Sequence, residues 1–152
     1  MNRPPHVLIV EAPYYAHIAN ELRKGAERAL ASAGASHERI AVPGAFEIPG
    51  AISLVARAND RFDGFVALGC VIRGETTHYD HICCESARGL QELAVRDGLA
   101  IGFGILTVEN EAQALVRASS DHRDKGGEAV RACLAMINLK RRLAGETHDC
   151  SS

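Results

Sequence analysis

Tryptophan is absent from this 152-residue sequence, and four Phe and three Tyr supply the whole of its 5 % aromatic content. Stacking platforms for successive bases are therefore scarce. With 17 basic against 19 acidic side chains there is also no positive excess to hold a polyanion, so nucleic acid is not an expected partner. No stretch approaches the ~20 consecutive apolar residues of a membrane span. The first apolar run, residues 7–10, is too short for the core of a secretory signal. The expectation is a cytoplasmic protein with no membrane association. Five cysteines, Cys70, Cys83, Cys84, Cys133 and Cys150, are an odd number without a C-x-x-C pair. In such a setting they read as reduced thiols, not a disulfide framework. No repeat, low-complexity segment or linker interrupts the chain, so residues 1–152 are expected to form one domain.

What is present is an alternation of short apolar runs with longer amphipathic stretches. Residues 7–10 and 65–72 are continuous apolar runs, as strands buried on both faces require. Shorter or mixed runs at 39–42 and 100–108 complete four strands. Between them the 3.6-residue period predicts helices: one after Pro13, with Ile18, Leu22, Ala26, Ala29 and Leu30 near one face and closed by Gly34, and one over 47–58 with Pro49 in its first turn. Thr77 followed by Asp80 suits a helix start, running to about Val95 with Leu90, Leu93 and Ala94 inward. A short helix over 112–117 and a long closing helix from Lys125, with Ala129, Cys133, Met136, Ile137 and Leu139 in its apolar pattern, follow, and the polar tail 145–152 is expected to fray. Strands alternating with helices in this way predict an α/β three-layer αβα sandwich around a four-stranded parallel sheet, flavodoxin-like in kind.

Open parallel sheets take ligands outside the carboxyl ends of their strands. The segments leaving the four strands hold Tyr14, Tyr15, Phe46, Glu47, Cys70, Arg73, Glu75, Thr76, Thr77, His78 and Glu109, so polar and aromatic residues gather on one rim. Arg73-Gly-Glu-Thr-Thr-His78 is the richest of them. Glycine permits close backbone approach, amides entering a helix attract an anion, and a histidine there can exchange protons with it. The same residues also suit a threonine cap beside a solvated histidine. His78, His81 and Cys84 invite a zinc reading, but three-residue steps fan across a helix and no fourth ligand is evident, so no metal is expected. Cys70 with His78 is a possible nucleophile–base pair, set against the inert cysteine that commonly ends an apolar strand. Arg117, Arg123 and Lys125 form a basic patch around a helix break, either solvated charge or a grip for an anionic group. Gly102-Phe-Gly104 lacks the third glycine of a dinucleotide fingerprint.

Three segments carry a resemblance: Val42-Pro-Gly-Ala-Phe-Glu-Ile-Pro49, Leu68-Gly-Cys-Val-Ile-Arg-Gly-Glu-Thr-Thr-His-Tyr-Asp80 and Phe103-Gly-Ile-Leu-Thr-Val-Glu-Asn110. In this order and spacing the chain resembles the lumazine synthase family of riboflavin biosynthesis, from residue 7 to about 143. The resemblance implies condensation of 5-amino-6-(D-ribitylamino)uracil with 3,4-dihydroxy-2-butanone 4-phosphate, without cofactor or metal. It puts Tyr14 at an aromatic that stacks on the pyrimidine, and Ala45, Phe46 and Glu47 along the ribityl and ring pocket. Cys70, Val71 and Ile72 would meet the ring through backbone groups, Glu75 and Thr76 would offer amides to the phosphate, and His78 would move protons. Phe103 and Arg117 would come from a neighbouring subunit, with Lys125 a further basic position near the phosphate. A homo-oligomer is implied, and a free pentamer is expected because residues 118–124 lack the turn usual in shell-forming members. Cys70 stands where the family commonly has Thr, and Tyr14-Tyr15 replaces an aromatic–Asn pair. The alternative reading is a flavin- or lumazine-binding carrier, or a shell-forming paralogue with little turnover.

Overall fold

Val7, Leu8, Ile9 and Val10 are each at most 2 % exposed, because a strand apolar on both sides has to be covered on both sides. They form the centre of β1 (His6–Glu11) in a computed structural model that describes residues 3–149. There follow α1 (Ala16–Ser32), β2 (Ser36–Ala41), a single 3-10 turn (Ala45–Glu47), α2 (Ile48–Ala58), β3 (Gly64–Ile72), α3 (His78–Asp97), β4 (Ile101–Val108), α4 (Glu111–Ala118) and α5 (Lys125–Asp149). The strands are all parallel, in the order β2-β1-β3-β4. Alternation along them sorts the core into two halves. Val7, Ile9, Val66, Leu68, Leu106 and Val108 pack with α1, α4 and α5, while Leu8, Val10, Phe65, Ala67 and Ile105 pack with α2 and α3. The architecture is a three-layer, flavodoxin-like α/β sandwich. Among the described residues no helix is long and apolar enough to cross a membrane.

The order of the strands decides where a ligand can sit. From β1 the chain steps to β2 on one side, then crosses to β3 on the other. The connections leaving β1 and β3 therefore diverge and open a crevice at their carboxyl ends.

Local differences from the sequence expectation have physical causes. β2 begins at Ser36, pairing with His6, and not at Arg39. Its polar residues conceal an edge strand whose charges are matched across the fold: His37 and Arg39 each lie 3.6 Å from Glu27, and Arg39 lies 3.5 Å from the buried Glu11. α3 runs past Val95 to Asp97 and stops at Gly98, whose φ of +66° suits a residue without Cβ. The closing helix continues to Asp149, through much of the stretch expected to fray, and residues 150–152, Cys150 among them, lie outside the described residues.

α5 rests on β4 where Gly102 and Gly104 face it. A Cβ on Gly102 would overlap the Ala129 carbonyl oxygen and sit 2.8 Å from its carbon. The Gly102-Phe-Gly104 pair thus allows close helix–strand packing, and Cys133, fully buried on the same helix, reaches the Ala100 carbonyl at 3.6 Å. Burial pushes the Cys133 thiol up to about 12 from its ordinary value of 9.0. The folded protein then holds a proton that the unfolded chain releases above pH 9.0, so this contribution is intact below that pH and is lost as pH rises towards about 12. Each pH unit in that window should remove up to about 1.4 kcal/mol of stability through this one group. Urea melts at a series of alkaline pH values should show a shallower decline for Cys133→Ala than for the parent.

Candidate active site

At the crevice between β1 and β3 the strands deliver Ala12, Cys70, Val71 and Ile72 to a cavity of about 420 Å³. The chain leaving β2 adds Pro43 and Gly44, then Ala45, Phe46 and Glu47 from the 3-10 turn. Ile48 directly after this turn starts α2, and Pro49 sits in its first turn, where a missing N–H costs no hydrogen bond. α3 adds His78, its first residue, and Ile82 one turn later. Tyr14 and Tyr15 stand on the β1–α1 connection, their rings edge to face at 4.9 Å. Tyr14 is 76 % exposed and Phe46 56 %. Two largely solvated rings at one cavity are what a flat heterocycle can cover.

A larger hollow of about 630 Å³ lies at the opposite, amino-terminal ends of the strands, among Arg3, His6, Ser36 and Arg61. Most of its charged groups are paired: Arg3 grips Asp63 at 2.8 Å, while His6 and Arg61 share Glu38, leaving Asp60 on its rim. It lies away from the carboxyl ends of the strands, and the smaller crevice is the better candidate on topology.

Cys70 is not an activated nucleophile. Its side chain joins the core beneath α1 and α4, and burial, reinforced by the charge of Glu111, pushes its thiol up to about 11. A thiol in that state is almost entirely protonated near neutrality. Val71, next in the strand, turns to the α2–α3 side. Burial likewise raises the Tyr15 hydroxyl above its ordinary value, so both groups near the cavity are neutral.

Between β3 and α3 the loop follows a different logic. Among the described residues the amides of Gly74, Glu75, Thr76 and Thr77 meet no acceptor. Four unpaired donors leading into a helix start form an anion-attracting edge. The expected threonine cap is replaced: Thr77 has helical torsions (φ −70°, ψ −2°) and makes no side-chain cap bond, since a cap needs extended backbone to aim its hydroxyl at the first turn. Thr76 Oγ1 instead accepts from the His78 amide at 3.3 Å.

Eight of the residues singled out in the sequence, Tyr14, Ala45, Phe46, Glu47, Cys70, Val71, Ile72 and His78, line the cavity. Glu75 and Thr76 stand on the exposed loop beside it. Phe103, Arg117 and Lys125 do not reach it. Phe103 projects from β4 beside Ala87, Leu90 and Ala94, 47 % exposed. Arg117 donates to the Gln113 carbonyl at 3.2 Å, and Lys125 pairs with Glu128 at 3.1 Å. Sequence reasoning missed Ile82, which its spacing of four from His78 places on the same helix face. It also gave no role to Arg73, whose partners are described below. Among the described residues no three His, Cys, Asp or Glu side chains are grouped to hold a metal ion.

A family model described as 6,7-dimethyl-8-ribityllumazine synthase matches residues 4–141. The chain is 58 % identical over 135 residues to the 6,7-dimethyl-8-ribityllumazine synthase of Sphingopyxis alaskensis, covering 89 % of this chain and 94 % of that one. It is 53 % identical over 148 residues to 6,7-dimethyl-8-ribityllumazine synthase 1 of Rhizobium meliloti (95 % and 97 %), and 54 % identical over 142 residues to the Bartonella tribocorum protein of the same function (93 % and 94 %).

Proposed function

Because the chain belongs to the 6,7-dimethyl-8-ribityllumazine synthase family, we propose that the β1–β3 cavity is where 5-amino-6-(D-ribitylamino)uracil and 3,4-dihydroxy-2-butanone 4-phosphate condense. The protein is a transferase of riboflavin biosynthesis that makes 6,7-dimethyl-8-ribityllumazine. The 5-amino group adds to the ketone and forms an imine with loss of water. Phosphate then leaves the butanone carbon that bears it. Its departure, with loss of the proton from the neighbouring carbinol carbon, leaves an enol that tautomerises to a ketone, and the ribitylamino nitrogen closes the ring on this new carbonyl with loss of a second water.

What supports this assignment of the site is the meeting of eight family-matched residues in one cavity beside a loop of unpaired amides. Tyr14 and Phe46 cover the pyrimidine, Ala45 and Glu47 follow the ribityl chain, and backbone groups of Cys70, Val71 and Ile72 meet the ring edge. The amides of Glu75 and Thr76 take the phosphate, and His78 carries protons between the reacting nitrogen and oxygen atoms. Residues 1–152 act as one domain in a cytoplasmic homopentamer. In it Phe103 and Arg117 of each chain, with Lys125 near the phosphate, complete the cavity of the next, which accords with their position away from the chain's own cavity.

Mixing the protein with both substrates should produce lumazine absorbance and an equal amount of inorganic phosphate. Retention of a yellow flavin without product from both substrates would overturn the assignment. Light scattering at a mass other than five chains would overturn the pentamer.

A further inference from the structure

We propose that Arg73, oriented by Glu109, is a positioning residue that holds loop 74–77 and the start of α3 in the form that receives the phosphate of the second substrate. The proposal rests on the assignment of the site above. Arg73 is the first residue beyond β3, and its amide donates to the Val108 carbonyl at 2.9 Å, so its backbone is fixed to β4. Its side chain then joins two further segments. Nε lies 2.9 and 3.1 Å from the two carboxylate oxygens of Glu109, on the β4–α4 connection. Nη1 lies 3.6 Å from Asp80, and the guanidinium carbon sits 4.4 Å from the centre of the Tyr79 ring, both residues belonging to the first turn of α3.

Glu109 is a firm anchor for this arrangement. Its amide donates to Gln113 Oε1 at 2.9 Å, and the Asn110 side chain next to it caps α4 by accepting from the Gln113 amide at 2.9 Å. One planar fork thereby links the entry of the loop, its exit into α3 and the neighbouring connection, a geometry that lysine cannot reproduce. Inside that link the loop has little of its own to define its shape: four amides without acceptors, the His78 amide on Thr76 Oγ1 and the His81 amide on the Thr77 carbonyl, both at 3.3 Å. Amides that must converge on a phosphate need an external hold, and Arg73 supplies it.

The same geometry separates positioning from direct binding. Two carboxylates already face Arg73, so its charge is matched before any anion arrives. A direct ligand would gain from release by Glu109, whereas a positioning residue would lose its orientation.

Steady-state kinetics of Arg73→Gln, Arg73→Lys and Glu109→Gln distinguish the two. Both glutamine variants should raise KM for 3,4-dihydroxy-2-butanone 4-phosphate by about 10–100-fold, the scale of a misplaced binding group. KM for the pyrimidine substrate should stay within about twofold, because its cavity residues are untouched. Arg73→Lys, with charge but no fork, should fall between. The dissociation constant of inorganic phosphate, measured by calorimetry on the same proteins, should rise in step and reads the loop even without turnover. If Glu109→Gln leaves both values unchanged while Arg73→Gln raises them, Arg73 is itself a ligand and the proposal fails. It fails equally if both substrates' KM values rise together, or if neither moves. A parent protein that binds phosphate in the expected Arg73-dependent way but makes no lumazine would instead overturn the reaction assigned above.

Discussion

His78→Ala should lower kcat by about 10²–10⁴ and still leave measurable turnover, because a single acid–base group contributes on that scale. The condensation has several proton transfers around an imine and a ring closure, and His78 is the side chain of α3 whose place at the cavity fits all of them. Yet the larger part of the barrier in a two-substrate reaction comes from holding the reactants together, worth about 7–11 kcal/mol at best. The variant keeps Tyr14, Phe46, Glu47 and the amide-bearing loop, so it keeps that part. Substrate KM values should move little. Cys70→Ser provides the contrast: with its thiol pushed up to about 11 and turned into the core, its loss should change kcat only a few-fold. A His78→Ala protein that binds both substrates but turns over none would show that proton transfer, not positioning, carries the rate.

Gly102→Ala should be among the most damaging single-methyl changes in the chain, costing about 3 kcal/mol or more, at the upper end for overpacking a tight core. The added carbon would meet backbone, not a flexible side chain: the Ala129 carbonyl lies directly over Gly102. Relief requires α5 to lift from β4, and that separation spreads. Gly104 in the same strand is hemmed in by Leu68 Cδ2 at 2.7 Å and the Ala67 carbonyl oxygen at 2.9 Å from its own would-be Cβ, so β4 cannot slide to compensate. For a chain of this size the loss corresponds to a fall in Tm of roughly 6–12 °C. Thermal melts at one fixed protein concentration check it, since association shifts melting by mass action. Gly145→Ala, at a glycine with nothing within 4 Å of the would-be carbon, is the control and should melt within about 2 °C of the parent. An unchanged Tm for Gly102→Ala would mean that α5 does not rest on β4 as closely as described.

Much of the fold was legible in the sequence because its strongest signals are local. The run 65–72 is apolar on both faces, and its place as β3 at the middle of the sheet follows from that alone. Helices α1, α2 and α5 carry their buried faces at helical spacing, and Pro49 marks the start of α2. β2 was less legible because its charges are neutralised by Glu27 and Glu11, residues of other elements. Thr77 has the right residue type for a cap and the wrong backbone torsions for one. The glycines at 102 and 104 stood out as a motif, but only the helix above them explains why.

By itself, then, the sequence determined the order of strands and helices, the family, and which rim of the sheet gathers polar and aromatic residues, since periodicity and contiguous motifs are properties of neighbouring positions. The tertiary structure alone decided that the cavity opens between β1 and β3, that Cys70 is half-buried with its thiol pushed up, and that Phe103 and Arg117 stand away from the cavity of their own chain. It alone joined Arg73 to Glu109, 36 positions away. Those outcomes depend on desolvation and on distances between residues far apart in the chain, which exist only once the layers have packed.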